Sequence, residues 1–197
     1  MAQTDNSYLA DKAALRAGHL PESDEISVLD CYGGSGKVWK AVGRLVEKNI
    51  RVLPIEIKDY GWFHLPGDNM KYLGSMDLSK FNVIDMDAYG IPYEQLKEIF
   101  DRGYKGTVFV TFIQSIFGSV NHEMLIDVGF TKDQIKKIPT LFGKRGWEYF
   151  LEWLGLHGVE KIWHRCHARK HYIGFNCVAG SSIGSHSHTE ETVEDHV

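Results

Sequence analysis

The sequence lacks the features that would place the protein in a membrane or in an oxidising compartment. It contains three cysteines, Cys31, Cys166 and Cys177, and this odd number forms no paired disulfide framework. No run approaches the roughly 20 apolar residues that a membrane-spanning helix needs. The first residues also lack the apolar core of a signal peptide. We therefore expect a protein of the reducing cytoplasm with no membrane partner.

The composition predicts a single globular domain. Of the 197 residues, 43% are apolar and 12% aromatic, which is enough for one sizeable core, and the chain is short for two. Residues 180–197 are mostly Gly, Ser, Thr, His and acidic, with few side chains to bury. The sequence predicts a domain over residues 1–179 followed by a disordered polar tail.

Positive charge is concentrated near the end of this domain. Residues 131–171 carry nine Lys and Arg against four Asp and Glu, a net charge of +5, whereas the whole chain has a net charge of −4. Such a segment favours a partner that carries phosphate, although solvated surface faces explain it equally well. The candidate phosphate contacts are Arg165, Arg169 and Lys170.

Hydrophobic periodicity predicts alternating strands and helices. A helix over residues 6–17 is expected beside the ligand cleft, and 121–139 should form a helix, a turn and a basic segment. Further helices are predicted at 37–48, 93–102 and 146–156, and strands at 27–30, 51–57, 83–86, 106–114, 159–167 and 169–179.

Residues 26–38, ISVLDCYGGSGKV, form an apolar run that ends in an acid and passes into a glycine-rich turn. This order of strand, acid, loop and helix is typical of a nucleotide-binding loop. A phosphate-binding loop requires Ser or Thr after Gly-Lys, but Val38 follows Lys37. A dinucleotide-binding loop requires a third glycine at the position of Trp39. Neither of these two loops fits.

The segment VLDCYGGSG resembles the S-adenosylmethionine loop of class I methyltransferases, for which VLDLFAGSG is a common form. The resemblance implies an S-adenosylmethionine cofactor, with Asp30 at its amino-acid end. It also implies an α/β, Rossmann-like fold with a mainly parallel seven-stranded sheet, flanking helices and a C-terminal antiparallel hairpin. The loop residues that it assigns to the cofactor are Tyr32, Gly33, Gly34 and Gly36.

Two further positions are candidates for cofactor binding. Glu56 lies near the end of the predicted second strand, where an acid commonly accepts from two ribose hydroxyls, although it is also compatible with a solvated acid. Residues 59–75 are rich in Gly and aromatics and predict a loop with little regular structure. Met76 and Asp77 then resemble the methyltransferase turn against the adenine, with a surface loop as an equal alternative.

Residues 82–93, NVIDMDAYGIPY, combine a short strand with acids and a turn. Because ligands gather at the carboxyl ends of parallel strands, Asp87 should share a crevice with Asp30. The segment resembles the DPPY motif of amino-group methyltransferases and, more closely, DLDPYGSP of the tRNA N2,N2-guanine dimethyltransferases. The matching residues are Asp85, Asp87, Tyr89, Gly90 and Pro92, while Ala88 stands in place of a proline.

The chemistry of an exocyclic amine accounts for these residue types. Its lone pair is delocalised into the ring, so an acceptor such as Asp87 must hold its hydrogens and take a proton. Tyr89 offers a face on which a base can stack, and Pro92 is a further candidate substrate contact. We expect methylation of an amino group on a base, in RNA rather than DNA. The alternatives are a DNA amino-methyltransferase and an inactive cofactor-binding protein.

Two residue clusters invite a metal interpretation. Asp85 and Asp87 share one face if the strand alternates strictly, but Asp85 is expected to make a supporting contact within the sheet. The second cluster contains His164, Cys166, His167 and His171. Strand alternation separates Cys166 from His167, and no CxxC pair completes a tetrahedral set. We therefore expect no metal.

Overall fold

The computed structural model describes residues 8–114, 121–138 and 141–177, without the side chains of 141–144. The predicted tail at 180–197 lies outside the described residues. The strands are β1 (Glu25–Asp30), β2 (Asn49–Glu56), β3 (Leu65–Pro66), β4 (Val83–Met86), β5 (Gly106–Ile113), β6 (Ile162–His167) and β7 (Lys170–Cys177). The helices are α1 (Leu9–Ala17), α2 (Lys37–Val42), α3 (Asn69–Ser75), α4 (Tyr93–Asp101), α5 (His122–Asp127), α6 (Lys132–Lys137) and α7 (Leu141–Leu156).

The seven strands form one sheet in the order β3-β2-β1-β4-β5-β7-β6. The first five strands pair in parallel, and β7 runs antiparallel to both β5 and β6. This confirms the predicted mainly parallel sheet with its C-terminal antiparallel hairpin. Because β1, β2 and β4 are parallel, the acids at their carboxyl ends come to one edge of the sheet.

Helices cover both faces of the sheet because successive strand residues point to opposite sides. On one face Val28 and Phe109 pack with Trp39 of α2 and Ala13 of α1 in a small core. On the other face a larger core receives side chains from all five remaining helices, including the fully buried Trp153 of α7. Within the described ranges, no helix is long and apolar enough to cross a membrane.

Two of the predicted segments were wrong in extent or type. Helix α2 ends at Val42, so the predicted continuation to residue 48 is absent. Residues 59–75, predicted as irregular, contain both β3 and α3. Helix α3 begins where the Asp68 side chain accepts a hydrogen bond from the Met70 N–H at 3.0 Å. Its seven residues are too few to reveal a helical period in a sequence rich in glycine and aromatics.

Candidate functional site

A cavity of about 530 Å³ opens at the carboxyl ends of the parallel strands. It is bounded by the end of β1, the glycine loop, the end of β2 and the turn after β4, with α1 and β7 at the sides. The structure brings nine of the predicted site residues to its walls: Asp30, Tyr32, Gly33, Gly34, Gly36, Glu56, Asp87, Tyr89 and Lys170. The topology therefore unites both sequence motifs at one edge of the sheet.

Other predicted site residues do not line this cavity. Met76 packs against the larger core. Asp77 is exposed and instead accepts hydrogen bonds from the N–H of Ser79 at 3.1 Å and from its hydroxyl at 2.6 Å. Pro92 is buried at the start of α4. Asp77 thus caps a short 3-10 helix, Leu78–Lys80, and its prediction as an adenine contact has no support from this placement.

One of the basic residues of the terminal hairpin lines the cavity, and others lie away from it. Arg165 forms an ion pair with Asp11 of α1 at 2.8 Å, and Arg169 is exposed in the hairpin turn. Lys170 reaches the cavity wall, where Lys37 and Lys58 also contribute. With Lys12 of α1, which lines the same cavity, the positive charge near it comes from four separate parts of the chain.

Backbone conformation and close packing explain why two positions of the loop are glycines. Gly36 has a φ of 68°, a conformation that other residues rarely adopt. Gly33 lies so close to β2 that a Cβ there would approach the Cβ of Pro54 to 2.6 Å. Trp62 lies across the loop and donates from its indole N–H to the Gly34 carbonyl at 3.0 Å. The glycines thus let the loop pack tightly between β2 and Trp62.

The Glu56 carboxylate holds this loop in place. Its Oε2 accepts from the Gly34 N–H at 2.9 Å, and its Oε1 accepts from the N–H groups of Ile57 and Lys58 at 2.9 and 3.1 Å. Since a carboxylate has about four lone-pair sites, these contacts use most of them. Glu56 therefore lines the cavity, and it also stabilises the glycine loop through these hydrogen bonds.

Asp30 is a buried acid at the end of β1. Its side chain accepts from the Tyr32 N–H at 3.2 Å, and the residue is 5% exposed. Burial, with a further contribution from the Asp85 carboxylate, raises the pKa of Asp30 well above its usual range. A cationic group bound beside Asp30 would relieve this unfavourable burial of charge. An ammonium group therefore fits this position.

Asp85 forms a buried ion pair with Arg16 of α1. The Arg16 Nε and Nη2 donate to the two carboxylate oxygens at 2.7 and 2.6 Å, and both side chains are 1% exposed. Burial raises the pKa of Asp85, although the neighbouring guanidinium opposes this shift. Asp85 was predicted to make a supporting contact within the sheet, but its contact is with helix α1, where both carboxylate oxygens accept from Arg16.

Asp87 is held by two side chains from different elements. Lys12 of α1 donates to Oδ1 and Oδ2 at 2.9 and 2.8 Å, and the Thr111 hydroxyl on β5 donates to Oδ1. The Lys12 and Asp87 side chains are 7% and 15% exposed. The carboxylate is therefore fixed in orientation while one side of it faces the cavity.

Four residues of this site were not predicted from the sequence: Lys12, Arg16, Thr111 and Trp62. One signal was present for two of them, because Lys12 and Arg16 lie four residues apart and so occupy one face of a helix expected beside the cleft. No comparable signal marked the other two residues. Thr111 lies inside a β-branched strand, and Trp62 lies in a segment predicted as irregular.

A second, smaller cavity adjoins the first at Tyr32 and Glu56. It has a volume of about 200 Å³ and is also lined by Asp68, Asn69 and Gln95. The Asn69 side chain donates to the Cys31 carbonyl at 3.0 Å and accepts from Gln95 at 3.0 Å. Polar groups from α3 and α4 therefore extend the binding surface beyond the end of β2.

Similarity to known proteins is detectable in structure but not in sequence. No protein-family model matches the chain, and no curated protein matches it either. A Listeria monocytogenes protein assigned as a class I S-adenosylmethionine-dependent methyltransferase superposes with a TM-score of 0.51 and 12% identity. The match covers 89% of this chain but 60% of that one, so this chain spans less than two thirds of its length.

Two further solved structures are similar over most of their own length. A Haemophilus influenzae protein assigned as a methylase has a TM-score of 0.51 and 10% identity, covering 85% of this chain and 88% of that one. A Clostridium thermocellum protein assigned as an rRNA methylase has a TM-score of 0.50 and 13% identity, covering 90% and 100%. At these identities the similarity establishes the fold, and this chain has the Rossmann-like fold of class I methyltransferases.

Proposed function

We propose that the protein is an S-adenosylmethionine-dependent methyltransferase that acts on an exocyclic amino group of a nucleic-acid base, in RNA rather than DNA. One observation carries the proposal. The oriented Asp87 carboxylate lies in the same cavity as Asp30 and Glu56, the two acids predicted from the sequence to hold the cofactor. An acceptor for the substrate amine and a binding site for the methyl donor thus share one space.

The residues present fit the cofactor. A volume of about 530 Å³ lies within the usual range for ligand sites, roughly 300 to 1,000 Å³. Asp30 would pair with the ammonium of the amino-acid end, and Glu56 lies where the ribose would be bound. The smaller cavity beside Glu56, with Asp68 and Asn69, offers polar groups for the adenine of the cofactor. Bound S-adenosylmethionine supplies a methyl group activated by a positively charged sulfonium.

Asp87 has the capacity to orient an amine. Of about four lone-pair sites on a carboxylate, Lys12 uses two and Thr111 one, which leaves one for a substrate N–H. This hydrogen bond draws the amine lone pair toward the methyl carbon. A substrate nitrogen that takes up a methyl group would gain positive charge, and Asp87 would accept the proton that this nitrogen releases.

The rim of the cavity supports a base in a phosphate-bearing polymer as the substrate. Tyr89 is 88% exposed beside Asp87, so its ring is available for stacking. Lys58 and Lys170 lie on the same walls and provide positive charge for a phosphate backbone. The preference for RNA rests on the resemblance at residues 82–93, and an amine in DNA is the alternative substrate.

Cofactor binding and methyl transfer test this proposal separately. Isothermal titration should show one S-adenosylmethionine site that is lost in Asp30→Ala and retained in Asp77→Ala, the same substitution at an exposed acid outside the cavity. Asp87→Asn should retain cofactor binding but lose transfer to nucleic acid. Cofactor binding that is intact in Asp30→Ala would contradict the assigned site. Binding by the wild type without transfer to RNA or DNA would favour the inactive cofactor-binding protein instead.

A further inference from the structure

The structure places three potential metal ligands together on the terminal hairpin. His164 and Cys166 lie two residues apart on β6 and therefore point to the same side of the sheet. Cys166 is directly opposite His171 of β7 in the register of the two strands. One ligand atom from each residue lies within 4.8 Å of the other two. In the sequence these three residues form one cluster with His167, and strand alternation argued against a metal because it separates Cys166 from His167.

We propose that His164, Cys166 and His171 form a three-ligand zinc site with a fourth position open to water or to an external ligand. Two imidazoles and a thiolate are a ligand set that suits Zn²⁺. None of the three residues lines the proposed methyl-transfer cavity. The zinc site is thus separate from that cavity and independent of the function proposed for it.

The two histidines already have nearly the required spacing. The Nε2 of His164 and the Nδ1 of His171 are 3.0 Å apart in a hydrogen bond. For Zn–N bonds of about 2.0 Å at a tetrahedral angle, the two nitrogens lie roughly 3.3 Å apart. The spacing is therefore close to that of a zinc site, and each ring must turn in its own plane so that the two lone pairs converge on the ion. The proton of the hydrogen bond then moves to the other nitrogen of the ring that carries it.

Packing fixes the imidazole rings before any metal binds. The two rings are parallel within 6°, and Trp147 of α7 stacks on both, with centroid distances of 4.8 Å to His164 and 4.1 Å to His171. Phe112 of β5 packs edge-on against His171. A rigid wall of this kind reduces the entropy that metal binding would otherwise cost.

Cys166 provides the adjustable ligand. Its exposed thiol donates to the Ala168 carbonyl at 3.4 Å, a weak contact that is easily replaced. In a tetrahedral zinc site the sulfur lies roughly 3.6 Å from each nitrogen, closer than the 4.8 Å limit of the present cluster. Rotation about the Cα–Cβ bond of Cys166 can close this gap without movement of the strands.

Metal titration of the full chain, after treatment with a chelator, tests the site. Equilibrium dialysis with metal analysis should find one tight Zn²⁺ per chain, with affinity reduced more than about 100-fold in Cys166→Ser and in His164→Gln. His167→Ala is the matched control, because this residue lies on the same hairpin but contacts Asp11 on the opposite face. Its zinc affinity should equal that of the wild type.

Cobalt provides a second measurement that identifies the thiolate. Co²⁺ should give the ultraviolet charge-transfer band of a cobalt–sulfur bond in the wild type and in His167→Ala, and no band in Cys166→Ser. Equal circular dichroism spectra and melting temperatures, without metal, would show that Cys166→Ser is folded. Zinc binding that is unchanged in this folded variant would come from elsewhere in the chain and would overturn the proposal. The absence of any tight zinc binding by the wild type would overturn it as well.

Discussion

Lys12 on the first helix holds Asp87 through both carboxylate oxygens, at 2.9 and 2.8 Å, although 75 residues separate them in the sequence. Four residues further along α1, Arg16 binds Asp85 in the same two-oxygen manner. One helix thus fixes both acids of the strand and turn that form the candidate acceptor site. Helix α1 is therefore part of the candidate site and not only a cover for the sheet.

Replacing Lys12 by Met should impair methyl transfer more than cofactor binding. The substitution keeps the length and apolar contacts of the side chain but removes the donor that orients Asp87. We expect the rate of transfer to fall by about 10- to 100-fold, as small misplacements of a catalytic group do. Lys97→Met, at an exposed ion pair on α4, is the control and should leave the rate unchanged. An unaltered rate in Lys12→Met would exclude the orienting role.

Cofactor affinity should depend on pH through Asp30. Because burial and Asp85 raise the pKa of Asp30 in the ligand-free protein, this acid stays protonated above its usual pKa of about 4. The cofactor ammonium pairs with the ionised form, so affinity should rise as pH rises through the raised pKa, with release of a proton. Titration calorimetry in buffers of different ionisation enthalpy measures this release.

The Asp30→Asn variant isolates the contribution of this acid. It should bind S-adenosylmethionine about 30-fold more weakly or worse at neutral pH, as expected for a buried charge pair that loses one partner. The proton release seen with the wild type should disappear at the same time. If Asp30→Asn releases as many protons as the wild type, another group near the cavity is responsible for the pH dependence.

Removing one partner of the buried pair of Arg16 and Asp85 should destabilise the fold more than replacing both partners with apolar residues. Arg16→Met leaves a buried carboxylate without its partner and should lower the free energy of unfolding by about 3–5 kcal/mol. The double variant Arg16→Met/Asp85→Leu removes both charges and should regain most of this loss. Urea denaturation of the single and double variants measures both effects. Additive losses in the double variant would show that the two side chains do not interact.

Replacing Tyr89 by alanine should weaken substrate binding without lowering the stability of the fold. Since 88% of the residue is exposed, Tyr89→Ala should leave the melting temperature unchanged. Loss of base stacking worth about 1–3 kcal/mol should raise KM for nucleic acid by about 5- to 150-fold. Tyr89→Phe keeps the ring and should behave as the wild type. If Ala and Phe at this position give the same KM, Tyr89 does not stack on the substrate.

The sequence predicted that Asp30 and Asp87 share one crevice because both signals behind this prediction are local. An apolar run that ends in Asp30 and a second that leads to Asp87 place acids at strand ends, and parallel pairing then brings them together. The wrong prediction for residues 59–75 has the opposite cause. There α3 depends on the Asp68 cap and on packing of Leu73 into the larger core, which are contacts that local periodicity does not reveal.

The side chains that complete the site could not be predicted for a related reason. Lys12 and Thr111 become neighbours of Asp87 only when α1 and β5 pack around β4, and no local pattern marks such long-range contacts. The hairpin cluster also depends on strand register, because it is the pairing of Cys166 with His171 that brings a thiol to the two imidazoles. The sequence places these residues in one short segment, and the register brings them to one face of the sheet.

Methyl transfer to nucleic acid tests the central claim most directly. The protein is incubated with S-adenosylmethionine carrying a labelled methyl group and with total cellular RNA or DNA, which is then digested to nucleosides. We predict that label appears in one base-methylated nucleoside of RNA, on an exocyclic nitrogen, and that Asp87→Asn abolishes it. Label on a ribose, on a ring carbon or only in protein would contradict the proposed function.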